Sequence, residues 1–405
     1  MRIVLLAAAV FAAIYIALDL NALYALRANQ NTGLYLQSLV DFVRTGSTFD
    51  QPDGRPHMLV HDQWVVYALL GPLVALWPRP ETMIVAQVVA LAGAALVLYW
   101  LANICGIERA AAAALSIAFL ISPSVQGFAY DGFVAEDVVP IVGFSFAFAI
   151  QRRSLLWTLA AAQILLGIKE DEAWFLAWLG AVGAIWFDRR LGVAVLLLAT
   201  INLGSYYAIA SHFGYLPERP HYGPVDREWA GQLTFLVELL VPLAFAPLRL
   251  GWALIAGLPF IIELFFTQDR TYPLYHTGSY YTIPLVVAAT VGTVYVVARR
   301  PWFARYALAG SILMALLFNN ASILHIGRRP FTPDPQYAAA RSWASTSLPV
   351  DIPCEDVGAW TVAAADLQAR LIGCGRRGTR RGRPAWRDEP LRATAPWTLG
   401  AHKGD

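Results

Sequence analysis

The segment RRSLLWTLAAAQILLGIKEDEAWFLAWLGAVGAIWFDRR, residues 152–190, contains two apolar runs separated by four consecutive charges. These charges are Lys169, Glu170, Asp171 and Glu172, and an arginine pair flanks the segment at each end. A helix that crosses a bilayer needs about 20 apolar residues, and fewer where the helix is short or the membrane thin. Basic residues are kept on the cytoplasmic side of a membrane. The segment therefore predicts a helical hairpin with cytoplasmic ends and an external charged turn.

The composition extends this interpretation to the whole chain. Of the 405 residues, 58% are hydrophobic and only 14% are charged, and the mean hydropathy is +0.51. Soluble globular domains carry about 25% charged residues. A deficit of this size means that most of the chain has no water-facing surface, which indicates an all-α polytopic membrane protein. The net charge of +2 is too small to indicate a partner, and we expect no nucleic acid.

Apolar segments recur along the chain, and they predict about eleven transmembrane helices in a membrane domain formed by residues 1–322. They lie at about residues 3–24, 82–103, 110–122, 134–150, 154–168, 173–187, 191–210, 231–247, 251–266, 281–298 and 305–322. The first is read as an uncleaved anchor, because it is too long for a signal-peptide core and lacks a strongly basic start.

The basic residues predict the orientation. If the N-terminus is cytoplasmic, the short inner connections contain Arg109, Arg152, Arg189, Arg249 and Arg299. The outer connections are 25–81, 123–133, 169–172, 211–230, 267–280 and the tail. The apolar stretch 64–77 is not counted as a span, since counting it would place the later arginine pairs outside. It is predicted to be a helix lying along the outer surface within the loop 25–81.

The tail, residues 323–405, is predicted to be a small external domain, disordered from about residue 375. A short helix is expected at 335–347, and strands are expected in VDIPCEDV and ARLIGCG. Cys354 and Cys374 are predicted to form a disulfide, because an external compartment is oxidising and a small domain gains from such a link.

Most residues capable of chemistry fall on the predicted outer side. Charges within a membrane cost several kcal/mol and usually face a wet cavity or a partner. The charged turn has two interpretations: a solvated turn with acids at a helix N-terminus, or a site. In the second, Lys169 contacts a phosphate, and Glu170 or Asp171 holds a divalent metal such as Mg or Mn, or a neighbouring arginine. Motifs of soluble enzymes, such as a phosphate-binding glycine loop, HExxH or GxSxG, are absent from the sequence.

Five sequence blocks occur in order: NTGLYLQSLVDF, LVHDQWVVYALLGPLVALWPRPETMIVAQVVALAGAALVLYWLA, GFAYDGFVAEDVVPIVGF, LLGIKEDEAWFLAWLGAVG and YHTGSYYTIPLVVAA. Together they resemble the DUF2079 family of bacterial membrane proteins, which is similar to the GT-C superfamily of glycosyltransferases. The resemblance implies a GT-C-like fold in the bacterial cytoplasmic (inner) membrane. It also implies transfer of a sugar from a polyprenyl-phosphate carrier to a glycan or lipid acceptor on the outer face.

In GT-C enzymes an acid in the first outer loop usually acts as the base, and the family block reads DxGxxxQ. This chain has Asn31 where the acid belongs, with Gln37 at the end of the block. An amide cannot serve as a general base. Asp41 or Asp62 in the same loop takes this role, or the acceptor is already anionic, or the protein is not a transferase. The alternative function is a non-catalytic, GT-C-like protein that binds lipid or glycan or serves as an accessory subunit, and a transporter is a third alternative.

The candidate substrate-binding residues share the predicted outer face. They are Gln37, His61, Asp131, Lys169, Glu170, Asp171, Arg270, His276 and Tyr280. Among them, Lys169 and Arg270 are expected to stabilise the phosphate leaving group, together with Arg219.

Overall fold

The structure, a computed structural model, describes residues 1–25, 30–46, 64–130, 132–212, 229–266, 279–317, 350–353 and 369–372. Its main elements in these ranges are α-helices. They are α1 Arg2–Tyr24, α2 Gln30–Thr45, α3 Trp64–Leu76, α4 Pro80–Ile104, α5 Arg109–Ile121, α6 Pro123–Phe128, α7 Val139–Gln151, α8 Leu155–Leu166, α9 Asp171–Trp186, α10 Arg189–His212, α11 Trp229–Leu240, α12 Gly251–Phe266, α13 Ile283–Arg299 and α14 Phe303–Leu317. Short 3₁₀ turns lie at Ala135–Val138, Ala246–Arg249 and Tyr280–Thr282.

Each of the eleven predicted spans coincides with one of these helices, and the protein is a multi-pass membrane protein that is all-helical over the described residues up to 317. Four helical segments in the described residues combine the length and hydropathy needed to cross a membrane: Arg2–Tyr24, Pro80–Ile104, Arg189–His212 and Tyr280–Arg299. The other predicted spans correspond to shorter apolar helices. The number of crossings therefore stays a prediction.

The largest boundary difference is at α11, which ends at Leu240 although the predicted span reaches residue 247. Pro242 and Pro247 interrupt the segment, and a residue before proline disfavours the helical conformation. The chain instead turns through Ala244 and Phe245, both with positive φ, into the 3₁₀ turn at Ala246–Arg249. The proline spacing explains why hydropathy alone placed the end too late.

Helix α4 lies at the centre of one half of the bundle and packs against α1, α5 and α7. In the other half, α9 packs closely along α10, and glycines permit this approach. A Cβ atom on Gly192 would overlap the backbone of Ala184, and one on Gly180 would lie 2.6 Å from the backbone nitrogen of Leu196. Small residues at helix contacts of this kind are typical of membrane bundles.

The described residues between α1 and α4 form two helices that pack on each other. The rings of Phe42 in α2 and Tyr67 in α3 meet edge to face at 5.4 Å. A helix is present where the surface-lying one is predicted, and its opposite face leaves Leu69, Leu73 and Leu76 exposed. This exposed face is apolar, as expected for a helix in contact with lipid.

In the tail, β1 Val350–Pro353 and β2 Ala369–Ile372 form a parallel pair with Val350 opposite Ala369. Both strands fall within the segments predicted to be strands. The predicted helix at 335–347 and the predicted Cys354–Cys374 disulfide lie outside the described residues.

Candidate functional site

The charged turn connects α8 to α9. Helix α8 ends at Leu166, Gly167 follows as its C-cap, and α9 begins at Asp171. Lys169 therefore precedes the helix. A helix that included Lys169 would bring it within pairing distance of Glu172, three residues later. The helix starts too late for this pairing.

Lys169 pairs instead with an acid from another part of the chain. Its Nζ donates a hydrogen bond to Oε1 of Glu136 at 2.8 Å and lies 3.3 Å from Oδ2 of Asp171. Only 14% of the Lys169 side chain and 6% of the Glu136 side chain are exposed, so this ion pair is largely removed from water. The ammonium also lies 4.8 Å from the ring centroid of Tyr281 and 5.5 Å from that of Tyr280. Cations are attracted to aromatic faces at such distances.

These contacts keep Lys169 charged. Burial lowers the pKa of Lys169, but attraction to Glu136 and then to Asp171 outweighs burial and holds the pKa well above its usual value. The surroundings are strongly acidic. Glu170, Glu172 and Glu263 also act electrostatically on this group of residues. Among the described residues, five carboxylates thus surround one lysine.

Segments distant in the sequence meet at this turn. The hydroxyl of Thr32 accepts a hydrogen bond from the backbone N–H of Phe133 at 2.9 Å, and the ring of Tyr35 meets that of Phe133 at 5.3 Å. The backbone N–H of Val65 donates to the carbonyl of Gly167 at 2.9 Å. A Cβ atom on Gly167 would overlap the Trp64 ring, so only glycine permits this contact. We call this meeting point of α2, α3, Phe133–Glu136, Gly167–Glu172 and Tyr280–Tyr281 the junction.

A family model described as "Predicted membrane protein (DUF2079)" matches residues 22–213 and 225–348, which is most of the chain. The chain belongs to the DUF2079 family. The resemblance to DUF2079 is therefore confirmed, and the similarity to the GT-C superfamily stays a prediction. A comparison with curated proteins finds no match. All five DUF2079 blocks contribute residues to the junction: Thr32, Val65, Phe133, Lys169 and Tyr280.

Two predicted site residues of the DUF2079 protein, Gln37 and Asp41, lie in α2 and are buried. They are four residues apart and so lie on the same face of the helix. Oδ1 of Asp41 accepts a hydrogen bond from the Thr45 hydroxyl at 3.2 Å. Asp41 also acts on Tyr67, whose pKa burial raises to about 12. Tyr67 lies one helical turn after Trp64, so Asp41 lies beside α3 near the end that enters the junction.

Asn31 is the second residue of α2, half-buried and adjacent to Thr32. Asn31 occupies the position where the family block DxGxxxQ has an acid. This position lies at the edge of the junction. The remaining predicted residues lie outside the described residues: His61, Asp62, Asp131, Arg270 and His276, together with Arg219.

The described ranges contain no group of three or more His, Cys, Asp or Glu side chains arranged to hold a metal ion. Asp171, one of the two predicted metal ligands, lies at the Lys169 ammonium. Glu170 is the N-cap residue of α9. The expectation of Mg or Mn at these two residues stays a prediction.

Sequence reasoning did not include Thr32, Trp64, Glu172 or Tyr281 among the candidate site residues. Glu136 is not among them either, although it is an acid within the predicted span 134–150. Its place in a span was the available signal, since an acid within a membrane needs a partner. No local pattern indicated that its partner is Lys169, which lies 33 positions further along the chain.

Proposed function

We propose that this DUF2079 protein is a membrane glycosyltransferase that moves a sugar from a polyprenyl-phosphate carrier to an acceptor on the outer membrane face. The observation that carries the proposal is the junction. All five blocks by which the chain resembles a GT-C-like family contribute to one end of the bundle. A lysine, buried acids and two tyrosines lie together there. Such concentrations of buried ionisable groups are typical of functional sites.

The proposal includes the finer architecture. In it, the helices form a GT-C-like bundle of about eleven crossings in the bacterial inner membrane, with a cytoplasmic N-terminus and the junction and tail outside. The arginines at the other ends of α7, α9 and α13 support this orientation, because they are exposed in short connections.

Lys169 is the proposed contact of the carrier phosphate. An ammonium group has three N–H donors, and Glu136 and Asp171 occupy two directions around it. The proposal assigns the third to a phosphate oxygen. A fixed cation stabilises the charge that develops on a phosphate leaving group. The rings of Tyr280 and Tyr281 limit the positions that the ammonium can adopt.

Asp41 is the proposed general base for the acceptor hydroxyl. Asn31 cannot take a proton, whereas Asp41 is a carboxylate in the same outer loop, held in place by Thr45. A positioned base typically contributes about 10²–10⁴-fold to the rate. Asp62, the other sequence-predicted candidate, keeps this role as an alternative.

A second candidate function, binding without catalysis, is favoured by two observations. The family's acid position holds Asn31, and the carboxylates at the junction outnumber Lys169. An acid-rich surface repels phosphate, because like charges at short range disfavour binding. A lipid- or glycan-binding protein or accessory subunit needs no base.

Reconstitution separates the two functions. The purified full chain is placed in liposomes with radiolabelled polyprenyl-phosphate sugars, and both bound and transferred label are measured. The transferase predicts transfer that falls about 10²-fold or more in Asp41→Asn and is lost in Lys169→Met, with Glu108→Gln and Arg152→Met as exposed controls. Label that binds and is never transferred supports the second function. Neither binding nor transfer of any carrier rejects both.

A further inference from the structure

A long cavity lies between α7, α9, α10, α12 and α13, with a volume of about 150 Å³. Glu172 lines it near the start of α9, and Asp188 lines it just beyond the end of that helix. These residues are 16 positions apart, which corresponds to about 24 Å along a helix. The cavity therefore extends through most of the roughly 30 Å hydrocarbon thickness of a bilayer.

The cavity wall is almost entirely apolar. Its larger side chains include Phe146, Phe175, Leu176, Val195 and Phe260. An apolar wall of this kind accepts apolar ligands. Its length along the helices and its apolar wall fit a hydrocarbon chain that lies parallel to them.

The two acids at its ends differ in how they are satisfied. Asp188 accepts hydrogen bonds from the backbone N–H groups of Arg190 and Leu191 at 2.9 and 3.1 Å, so it caps α10. Glu172 is only 5% exposed, and its carboxyl group makes no hydrogen bond or salt bridge within the described residues. A buried carboxyl group without a partner is costly to ionise, and a cationic ligand beside it would stabilise its charged form.

The charges around Glu172 indicate what kind of group would satisfy it. Glu136, Asp171 and Glu263 act on it with the same sign, and Lys169 directs its ammonium to Glu136 and Asp171 instead. An anionic group at this end of the cavity would meet four carboxylates. A cationic group would be attracted by all four and would give Glu172 its missing partner.

We propose that the cavity binds a lipid-like amphiphile, with one hydrocarbon chain along α9 and a primary ammonium head at Glu172. This inference does not rest on the transferase proposal. The head group is opposite in charge to a polyprenyl phosphate, and the hydrocarbon chain occupies the cavity rather than the turn. The ammonium ion binds at Glu172 inside the cavity, and the carrier phosphate binds at Lys169 in the turn.

Photolabelling of the purified full chain in detergent tests the assignment. Three probes share one long alkyl chain with a mid-chain diazirine and differ only in the head: a primary amine, an alcohol or a carboxylate. Mass spectrometry then measures the label on peptides from α9 and α12. The amine is expected to label these peptides roughly tenfold more than the alcohol, as for a hydrogen bond to a charged group. The carboxylate is expected to label them least.

Two variants locate the chain and the head. Glu172→Gln is expected to reduce amine labelling to the alcohol level without changing alcohol labelling. Ala256→Phe fills the cavity from α12 and is expected to suppress both, whereas Leu254→Phe, on the exposed face of the same helix, leaves both unchanged. Equal amine and alcohol labelling of the wild-type protein would overturn the inference, as would stronger carboxylate labelling. Amine preference that survives Glu172→Gln, or labelling that survives Ala256→Phe, would also overturn it. Photolabelling and sugar transfer are separate measurements, so either proposal can fail while the other stands.

Discussion

Charged residues are buried at the start of α9 and exposed beyond its end. At the start of the helix, Lys169, Glu136 and Glu172 are largely or fully buried, and the ammonium lies against acids and aromatic rings. At the other end, Arg189 and Arg190 are exposed. There the packing is aromatic: the ring of Phe187 meets that of Trp252 at 4.7 Å and that of Tyr295 at 5.8 Å.

Charged residues therefore serve two purposes in this membrane protein: exposed ones set the orientation of the chain, and buried ones pair with each other. Exposed arginines cost little and fix the orientation of the chain. Buried ion pairs must offset a desolvation cost of several kcal/mol per ion, so they persist only where the geometry is good. Stability measurements on matched variants of the two ends separate these purposes.

The largest effect is expected from Lys169→Met. The substitution leaves Glu136 buried without its partner, and breaking a buried pair typically costs about 3–5 kcal/mol. Thermal unfolding in detergent measures the loss. Arg190→Met, at the exposed end, is the control and is expected to change stability by less than about 0.5 kcal/mol. Equal effects of the two variants would remove the distinction between the two ends.

The same pair has a defined pH dependence. Because the folded-state pKa of Lys169 is raised, its contribution is fully present below the unfolded pKa of about 10.4 and is lost as the pH rises through the higher folded value. Between about pH 6 and 9, Lys169 is charged in both the folded and the unfolded state. Its titration is therefore not expected to change the stability difference between the wild type and Lys169→Met in that range. A decline of the difference across that range would show that Lys169 is not held in the charged form.

An intermediate effect is expected where α9 packs on α10. Gly192→Ala places a methyl group against the backbone of Ala184, and overpacking of this kind costs about 2–3 kcal/mol. Gly204→Ala in the same helix meets nothing within 4 Å and is expected to stabilise by about 0.5–1 kcal/mol through helix propensity. Melting temperatures of the two variants should therefore shift in opposite directions.

Thr32→Val tests the connection of α2 to the junction. It removes the acceptor for the buried N–H of Phe133, and an unsatisfied buried donor costs about 1–2 kcal/mol. Thr200→Val is the matched control, since the Thr200 hydroxyl is exposed and bonds only within its own helix. Comparable losses in denaturant titrations would mean that the Thr32 contact adds nothing to the junction.

The substitutions that test the orientation of the chain are expected to change its stability least. Single cysteines replace Val43 or Arg152, both exposed, in a chain whose native cysteines are changed to serine. A membrane-impermeant maleimide added to intact cells is expected to label position 43 at once and position 152 only after permeabilisation. The reverse pattern would invert the predicted topology.

The sequence predicted where the helices lie, because long apolar runs and flanking arginines are local signals. It also predicted that the charged turn at residues 169–172 connects two helices. It did not predict that Glu136 pairs with Lys169 or that Trp64 covers Gly167, because these contacts depend on how non-adjacent helices pack. The α11 boundary was wrong because hydropathy does not register the effect of Pro242 on backbone geometry.

The backbone contact between Val65 and Gly167 has a consequence for synthesis. Thr32 and Val65 leave the ribosome long before Gly167, and Tyr280 and Tyr281 leave it long after. The loop that carries the first two must therefore wait outside the bundle until the hairpin of α8 and α9 has been inserted. Tyr280 and Tyr281 contact Lys169 only when α13, which follows them directly, is in place. Completion of this end therefore requires that nearly every helix is in place.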